Sequence, residues 1–148
     1  MNFIDFLVAA IFPSLSGYLM SMKCDVKNTS GESVNFRPKP IVFGIVWFLL
    51  YILISISWVC SILYTKINLA FIHISYIILN ISLCSWIYLY SCRNEKINAI
   101  YSLVISLIFT IMCCIINNNI VSQLLLVPLI GWLFLATLIN VREVEKIS

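Results

Sequence analysis

The chain has 148 residues, 62% of them hydrophobic, with nine Lys or Arg, six Asp or Glu and a formal net charge of +3. Soluble domains are about 45–50% apolar and about a quarter charged, so this composition, with a mean hydropathy of +1.06, excludes a soluble domain and indicates a membrane protein. Each crossing of the roughly 30 Å hydrocarbon layer takes about 20 helical residues, which leaves no length for a folded extramembrane module.

Charges fall at Asp5, from Lys23 to Lys39, at Lys66, from Arg93 to Lys96 and from Arg142 to Lys146. The first uncharged stretch, 6–22, reads as a retained helix over 5–22. A cleaved signal peptide would carry its positive charge before the apolar run, whereas here only Asp5 precedes it and Lys23 follows. Stretches 41–65 and 67–92 predict helices over 41–64 and 68–91. The last stretch, 97–141, is too long for one crossing, and Asn117-Asn118-Asn119 divides it, because three adjacent amides are costly to leave in lipid. Helices over 97–116 and 120–141 follow. The five uncharged stretches have 17, 25, 26, 20 and 22 residues and no period-2 alternation. They therefore predict an all-α membrane protein, a single domain over 1–148 with five transmembrane helices and a long loop, 23–40, between the first two.

Eight basic residues, Lys23, Lys27, Arg37, Lys39, Arg93, Lys96, Arg142 and Lys146, share one side of this topology, and only Lys66 lies on the other. The positive-inside rule puts the first loop and the C-terminus in the cytosol. The lipid bilayer is then the obligatory partner, and nothing in the composition suggests nucleic acid. The sequon Asn28-Thr29-Ser30 would face the cytosol and stay unmodified.

Six cysteines show no metal-ligand spacing. Cys60, Cys84, Cys113 and Cys114 fall inside spans, Cys24 and Cys92 fall near the cytosolic face, and all six read as small apolar residues in helix interfaces rather than as a disulfide or a metal site.

No phosphate-binding loop and no pair of intramembrane carboxylates is present, which argues against an ion-coupled pump. Function must rest on aromatic, amide and helix-breaking residues. Pro38 and Pro40 can close the first loop and open the second helix, where a missing N–H costs nothing. On that helix Phe43, Trp47, Tyr51, Ile54 and Trp58 share roughly one face. Trp58 and Tyr64, near the far end of the span, read as members of an interfacial aromatic belt.

The stretch Asn35-Phe36-Arg37-Pro38-Lys39-Pro40-Ile41-Val42-Phe43-Gly44-Ile45-Val46-Trp47-Phe48-Leu49-Leu50-Tyr51 resembles the translocator protein family, also called the peripheral benzodiazepine receptor or tryptophan-rich sensory protein family. Pro38, Val42, Phe43, Gly44, Val46, Trp47, Leu50 and Tyr51 keep the family's pattern in register. Phe36 and Ile41 stand where tryptophans are usual, Lys39 replaces the second Pro and Ile45 replaces the Pro before Val46. Pro13-Ser14-Leu15-Ser16-Gly17 is similar to the family's first-helix motif. Pro128, Trp132, Ala136 and Asn140 keep its fifth-helix spacing, and Asn80 stands at a family Asn in the third helix.

The resemblance implies a five-helix bundle whose pocket lies under the first loop, residues 23–40 acting as a lid. In the family such a pocket binds tetrapyrroles such as protoporphyrin IX and benzodiazepine-type drugs, and sterol binding is also attributed to it. Trp47 and Trp132 would supply aromatic planes, with Phe43 and Tyr51 beside them. Asn80 would orient a polar group, and Ala136 would leave room. Arg37, Pro38 and Lys39 would form the rim, the two cations facing ligand carboxylates. No obligatory cofactor and no metal site is implied; protoporphyrin IX or heme enters as ligand. His73 shares a face with Asn80, but a lone intramembrane His is more often a neutral hydrogen-bonding residue than an axial ligand.

The expected role is thus a receptor or carrier in a multi-pass membrane setting, the mitochondrial outer membrane if the host is eukaryotic. One alternative is light-dependent porphyrin degradation, which some bacterial members are reported to perform, although the tryptophans missing at Phe36 and Ile41 weigh against an enzyme. The other is a scaffold with a decayed pocket. A homodimer is a candidate assembly with no face named by the sequence. The proposed sterol motif lacks its Tyr, since Asn140 is followed by Val141 and Arg142.

Overall fold

The computed structural model describes residues 2–25, 33–64 and 66–147. Five helices, each long and apolar enough to cross a membrane, make up the described chain: α1 (Phe3–Lys23), α2 (Pro40–Tyr64), α3 (Leu69–Ile87, extended by a π-helical turn, Tyr88–Cys92), α4 (Lys96–Ile116) and α5 (Ile120–Ile147). No strand occurs among the described residues. The protein is an all-α, five-helix membrane bundle.

Local chemistry sets the helix starts. The Asn2 N–H donates to the Asp5 carboxylate at 3.0 Å, satisfying a group that a bare helix end would leave open. Pro40 opens α2. Asn68 accepts from the Ala70 N–H at 2.9 Å, and Asn119 accepts from the N–H groups of Val121 and Ser122 at 2.8 and 3.2 Å. The third Asn of the triplet is therefore the cap of α5. α5 runs beyond residue 141, where the uncharged stretch ends, because Arg142, Glu143, Glu145 and Lys146 are sound helix formers once outside lipid.

The helices pack in a ring, α1 on α2, α2 on α5, α5 on α4, α4 on α3 and α3 back on α1. The inward faces follow spacings of three and four. On α3 these are Ile72, Tyr76, Leu79, Leu83, Trp86 and Tyr90, and on α5 they are Ser122, Leu126, Leu129, Leu133, Ala136, Asn140 and Glu143, all buried. α1 is the outlier, with only Ala9, Pro13 and Gly17 buried.

The far end of the bundle is closed by a polar knot. The Tyr76 hydroxyl lies 2.8 Å from Ser57 Oγ and 2.9 Å from Ser61 Oγ, and it accepts from Asn117 Nδ2 at 3.0 Å. Ser57 Oγ donates in turn to the Ser122 carbonyl at 2.8 Å. Four helix segments are joined there with their buried polar atoms paired. Trp58 belongs to this core and is 0% exposed, stacked on Tyr76 with ring centroids 5.3 Å apart and planes 7° apart. The belt position expected for Trp58 is thus corrected: its face of α2 turns toward α3. Tyr64, two turns later, is 64% exposed.

The end beside the first loop is held differently. The π turn rotates Tyr90 inward, where its hydroxyl donates to the Glu143 carboxylate, and Lys96 Nζ donates to the same carboxylate at 2.8 Å. Asn94, at φ 56, takes the left-handed conformation that ends the turn. In the exposed connection that follows, the Asn98 amide and then Arg93 hold the Glu95 carboxyl below its usual value, while Glu95 raises Arg93.

Cys24 and Cys92 form a disulfide, Cα to Cα 5.4 Å. The reading of all six cysteines as unpaired is corrected for these two, because the extra turn on α3 carries Cys92 to the end of α1. Cys60, Cys84, Cys113 and Cys114 are free. The sequon Asn28-Thr29-Ser30, Lys27 and the middle of the proposed lid lie outside the described residues.

Candidate functional site

A cavity of about 540 Å³ lies between the second half of α1 and the first half of α2, under the end of the first loop. Small residues on α1, Ser14, Gly17 and Ser21, make the space, and Phe43, Gly44, Trp47 and Tyr51 of α2 form the facing wall. Trp86 and Ile87 of α3 close the back. Gly17 is required by close approach: a Cβ there would lie 2.5 Å from the Tyr51 ring.

The wall is an aromatic cluster. Trp47 stacks on Trp86 at 5.0 Å and 29°, and Phe43 and Tyr51 flank Trp47 at 6.3 and 6.1 Å. Offset stacks and edge contacts of this kind add about 0.5–1.5 kcal/mol each beyond burial, so the wall is rigid. The indole N–H groups of Trp47, Trp86 and Trp132 are buried and have no hydrogen-bond partner among the described residues. An unpaired buried donor costs about 1–3 kcal/mol, which is a standing preference for something that accepts a hydrogen bond.

Of the residues expected from the sequence to bind ligand, Phe43, Trp47 and Tyr51 line the cavity, as do Ser14 and Gly17 of the first-helix motif. Trp132 on α5 packs behind them, 5.6 Å from Phe43 and 6.4 Å from Trp47, outside the lining. Ala136 is buried one turn further along α5. Asn80 is 0% exposed in the bundle interior, where Nδ2 donates to the Tyr76 carbonyl at 2.8 Å and Oδ1 has no partner among the described residues. At the rim, the Arg37 guanidinium sits over the Phe43 ring at 5.4 Å, Pro38 is half-buried and Lys39 is exposed.

His73 lies far from the cavity, with Nε2 3.6 Å from Asp5 and its ring 5.5 Å from Trp58. The residue that sequence reading does not single out is Trp86. Its signal is the spacing Ile72, Tyr76, Leu79, Leu83, Trp86, Tyr90, which marks one inward stripe on α3.

Fold and site together define a class: a five-span helical membrane protein with an aromatic-walled cavity beneath its first loop. The sequence is matched over residues 5–143 by the model of the TspO/MBR family. The chain belongs to the TspO/MBR family, and with that to proteins with a membrane ligand-binding or receptor role. Comparison with curated proteins gave no match.

Proposed function

We propose that the chain is a membrane receptor or carrier that takes hydrophobic, largely planar ligands into the cavity between α1 and α2. Tetrapyrroles such as protoporphyrin IX and heme precursors are the leading ligands, with sterols and benzodiazepine-type drugs as further candidates. The observation that carries this reading is the wall of Phe43, Trp47, Tyr51 and Trp86 around about 540 Å³, within the roughly 300–1,000 Å³ of small-molecule sites.

Flat aromatic ligands stack on such planes, and the unpaired indole N–H groups of Trp47 and Trp86 suit a ligand that brings acceptors. Arg37 and Lys39 lie close in sequence to Pro40, which lines the cavity, and suit ligand carboxylates at the rim. Trp132 acts from behind the wall, packing on Phe43 and Trp47, and Ala136 and Asn80 lie outside the cavity lining. The charge asymmetry supports a cytosolic first loop and C-terminus, in the mitochondrial outer membrane if the host is eukaryotic.

The test is a titration of purified protein with protoporphyrin IX and, separately, an isoquinoline carboxamide. Saturable quenching of protein fluorescence by either ligand is expected. Trp47→Ala should weaken binding about tenfold, the worth of one stacked ring at about 1.4 kcal/mol. Linear, unsaturable quenching with both ligands would contradict the reading.

A further inference from the structure

The disulfide lies just past the cavity and joins two of its walls. Met22 is the last lining residue of α1 and Cys24 is two residues on; Ile87 is the last of α3 and Cys92 is five residues on. Past Gly17, Tyr18, Leu19 and Met22 of α1 are all exposed. The helix buries three residues, and among the described residues its side-chain polar contacts with other helices fall at Asp5, 3.6 Å from His73, at Ser14, 3.4 Å from Ser55, and at Ser16, which bonds the Cys84 thiol, all before Gly17. The last turns of α1, past Gly17, are tied to α3 by the covalent bond at Cys24.

We propose that Cys24–Cys92 is a redox-controlled strap: oxidised, it holds α1 against α3 and keeps the cavity narrow; reduced, it releases the end of α1 and opens the cavity sideways between α1 and α2. The ligand-access part of this proposal rests on the cavity being the ligand site. The two sulfurs differ in access, since Cys92 is exposed and Cys24 is 2% exposed. A thiolate of an external dithiol attacks Cys92 Sγ, the Sγ–Sγ bond breaks, and Cys24 leaves as a thiolate that takes up a proton. The second thiol of the reductant then attacks the mixed disulfide and frees Cys92. Two electrons pass to the pair, leaving two protein thiols and the reductant as a disulfide.

Both cysteines lie on the side that the positive charges put in the cytosol, where disulfides that do form are usually transient or redox-sensing.

The test uses the whole protein in nanodiscs containing bromine-labelled phosphatidylcholine, whose acyl chains quench tryptophan they can touch. Thiol titration first establishes the state: four free thiols without reductant and six after dithiothreitol. Bromolipid quenching is expected to rise on reduction, to be equally high in Cys24→Ser/Cys92→Ser without reductant, and to lose the rise in Trp47→Phe. Protoporphyrin IX should associate faster with the reduced form. Six free thiols in protein never exposed to reductant would overturn the proposal, as would equal quenching of the four-thiol and six-thiol forms. The reduced natural sequence carries the test even if the double serine variant fails to fold. Protoporphyrin that binds neither form while the quenching difference persists would remove the ligand reading and leave the strap.

Discussion

Gly17→Ala tests the contact that shapes the cavity. The added methyl would lie 2.5, 2.6 and 2.7 Å from Cε2, Cζ and Cδ2 of the Tyr51 ring. Carbon atoms pack at about 3.5–4.0 Å, so the ring has to retreat by about an ångström. Tyr51 is 6% exposed, with Trp47 beside it at 6.1 Å, so the ring can give way only into the cavity it lines. Overpacking of this kind costs about 1–3 kcal/mol. Replacing a mid-helix Gly by Ala returns about 1 kcal/mol, which leaves a net loss of about 1 kcal/mol. In a Tyr51→Ala background the clash is gone and the same substitution should stabilise by about 1 kcal/mol, a coupling of about 2 kcal/mol between the two sites. Loss of helical circular dichroism during titration with a denaturing detergent, run on the four proteins of the cycle, measures it. Equal effects of Gly17→Ala in both backgrounds would refute the close approach of α1 to Tyr51.

Other positions give separate tests. Tyr76→Phe removes the hydroxyl on which Ser57, Ser61 and Asn117 converge and should cost about 1–3 kcal/mol in the same detergent titration. Glu143→Gln leaves Lys96 without its buried carboxylate and should cost about 3 kcal/mol, a loss that Lys96→Met in the same chain should largely reverse. Trp58→Ala, if the ring is core rather than belt, should cost about 3–5 kcal/mol, whereas Tyr64→Ala should be nearly neutral in melting experiments. Glu95, whose folded carboxyl is held low by Asn98 and Arg93, contributes stability above the ordinary carboxylate range. That contribution disappears as pH falls through the lower folded value, so Glu95→Gln should flatten the acid limb of the stability profile.

The five spans are legible in the charges because Lys, Arg, Asp and Glu are too costly to bury in lipid and so collect at helix ends. The division at Asn117-Asn118-Asn119 is legible for the same reason, although Asn119 caps the start of α5 while Asn117, at the C-terminal cap of α4, turns its amide inward to Tyr76. The inward face of α2 is visible as a helical spacing from Phe43 to Trp58. Where along that face the belt begins is not, because an aromatic residue near a span end suits lipid headgroups and a core equally. Only α3, arriving from later in the chain, decides it for Trp58.

The cavity's α1 wall is legible only in part: Ser14 and Gly17 belong to a family-like motif, but nothing in the sequence sets Gly17 against Tyr51, and Ser21 carries no signal of its own. Trp132 shows the limit of a motif. Its spacing marks an inward position on α5, but whether it touches the cavity or backs Trp47 depends on how two helices cross. The strap is hidden because its cysteines are 68 residues apart and a π turn, with no strong sequence signature, sets the register of Cys92.

The most direct test of the central claim is to photolabel the protein with a diazirine-bearing protoporphyrin and map the adducts by mass spectrometry. The account predicts adducts on α1 between Ser14 and Met22 and on α2 between Pro40 and Tyr51, suppressed by excess unlabelled protoporphyrin. Adducts confined to the lipid-facing residues of α4, such as Tyr101 or Ile108, and insensitive to competition would contradict it.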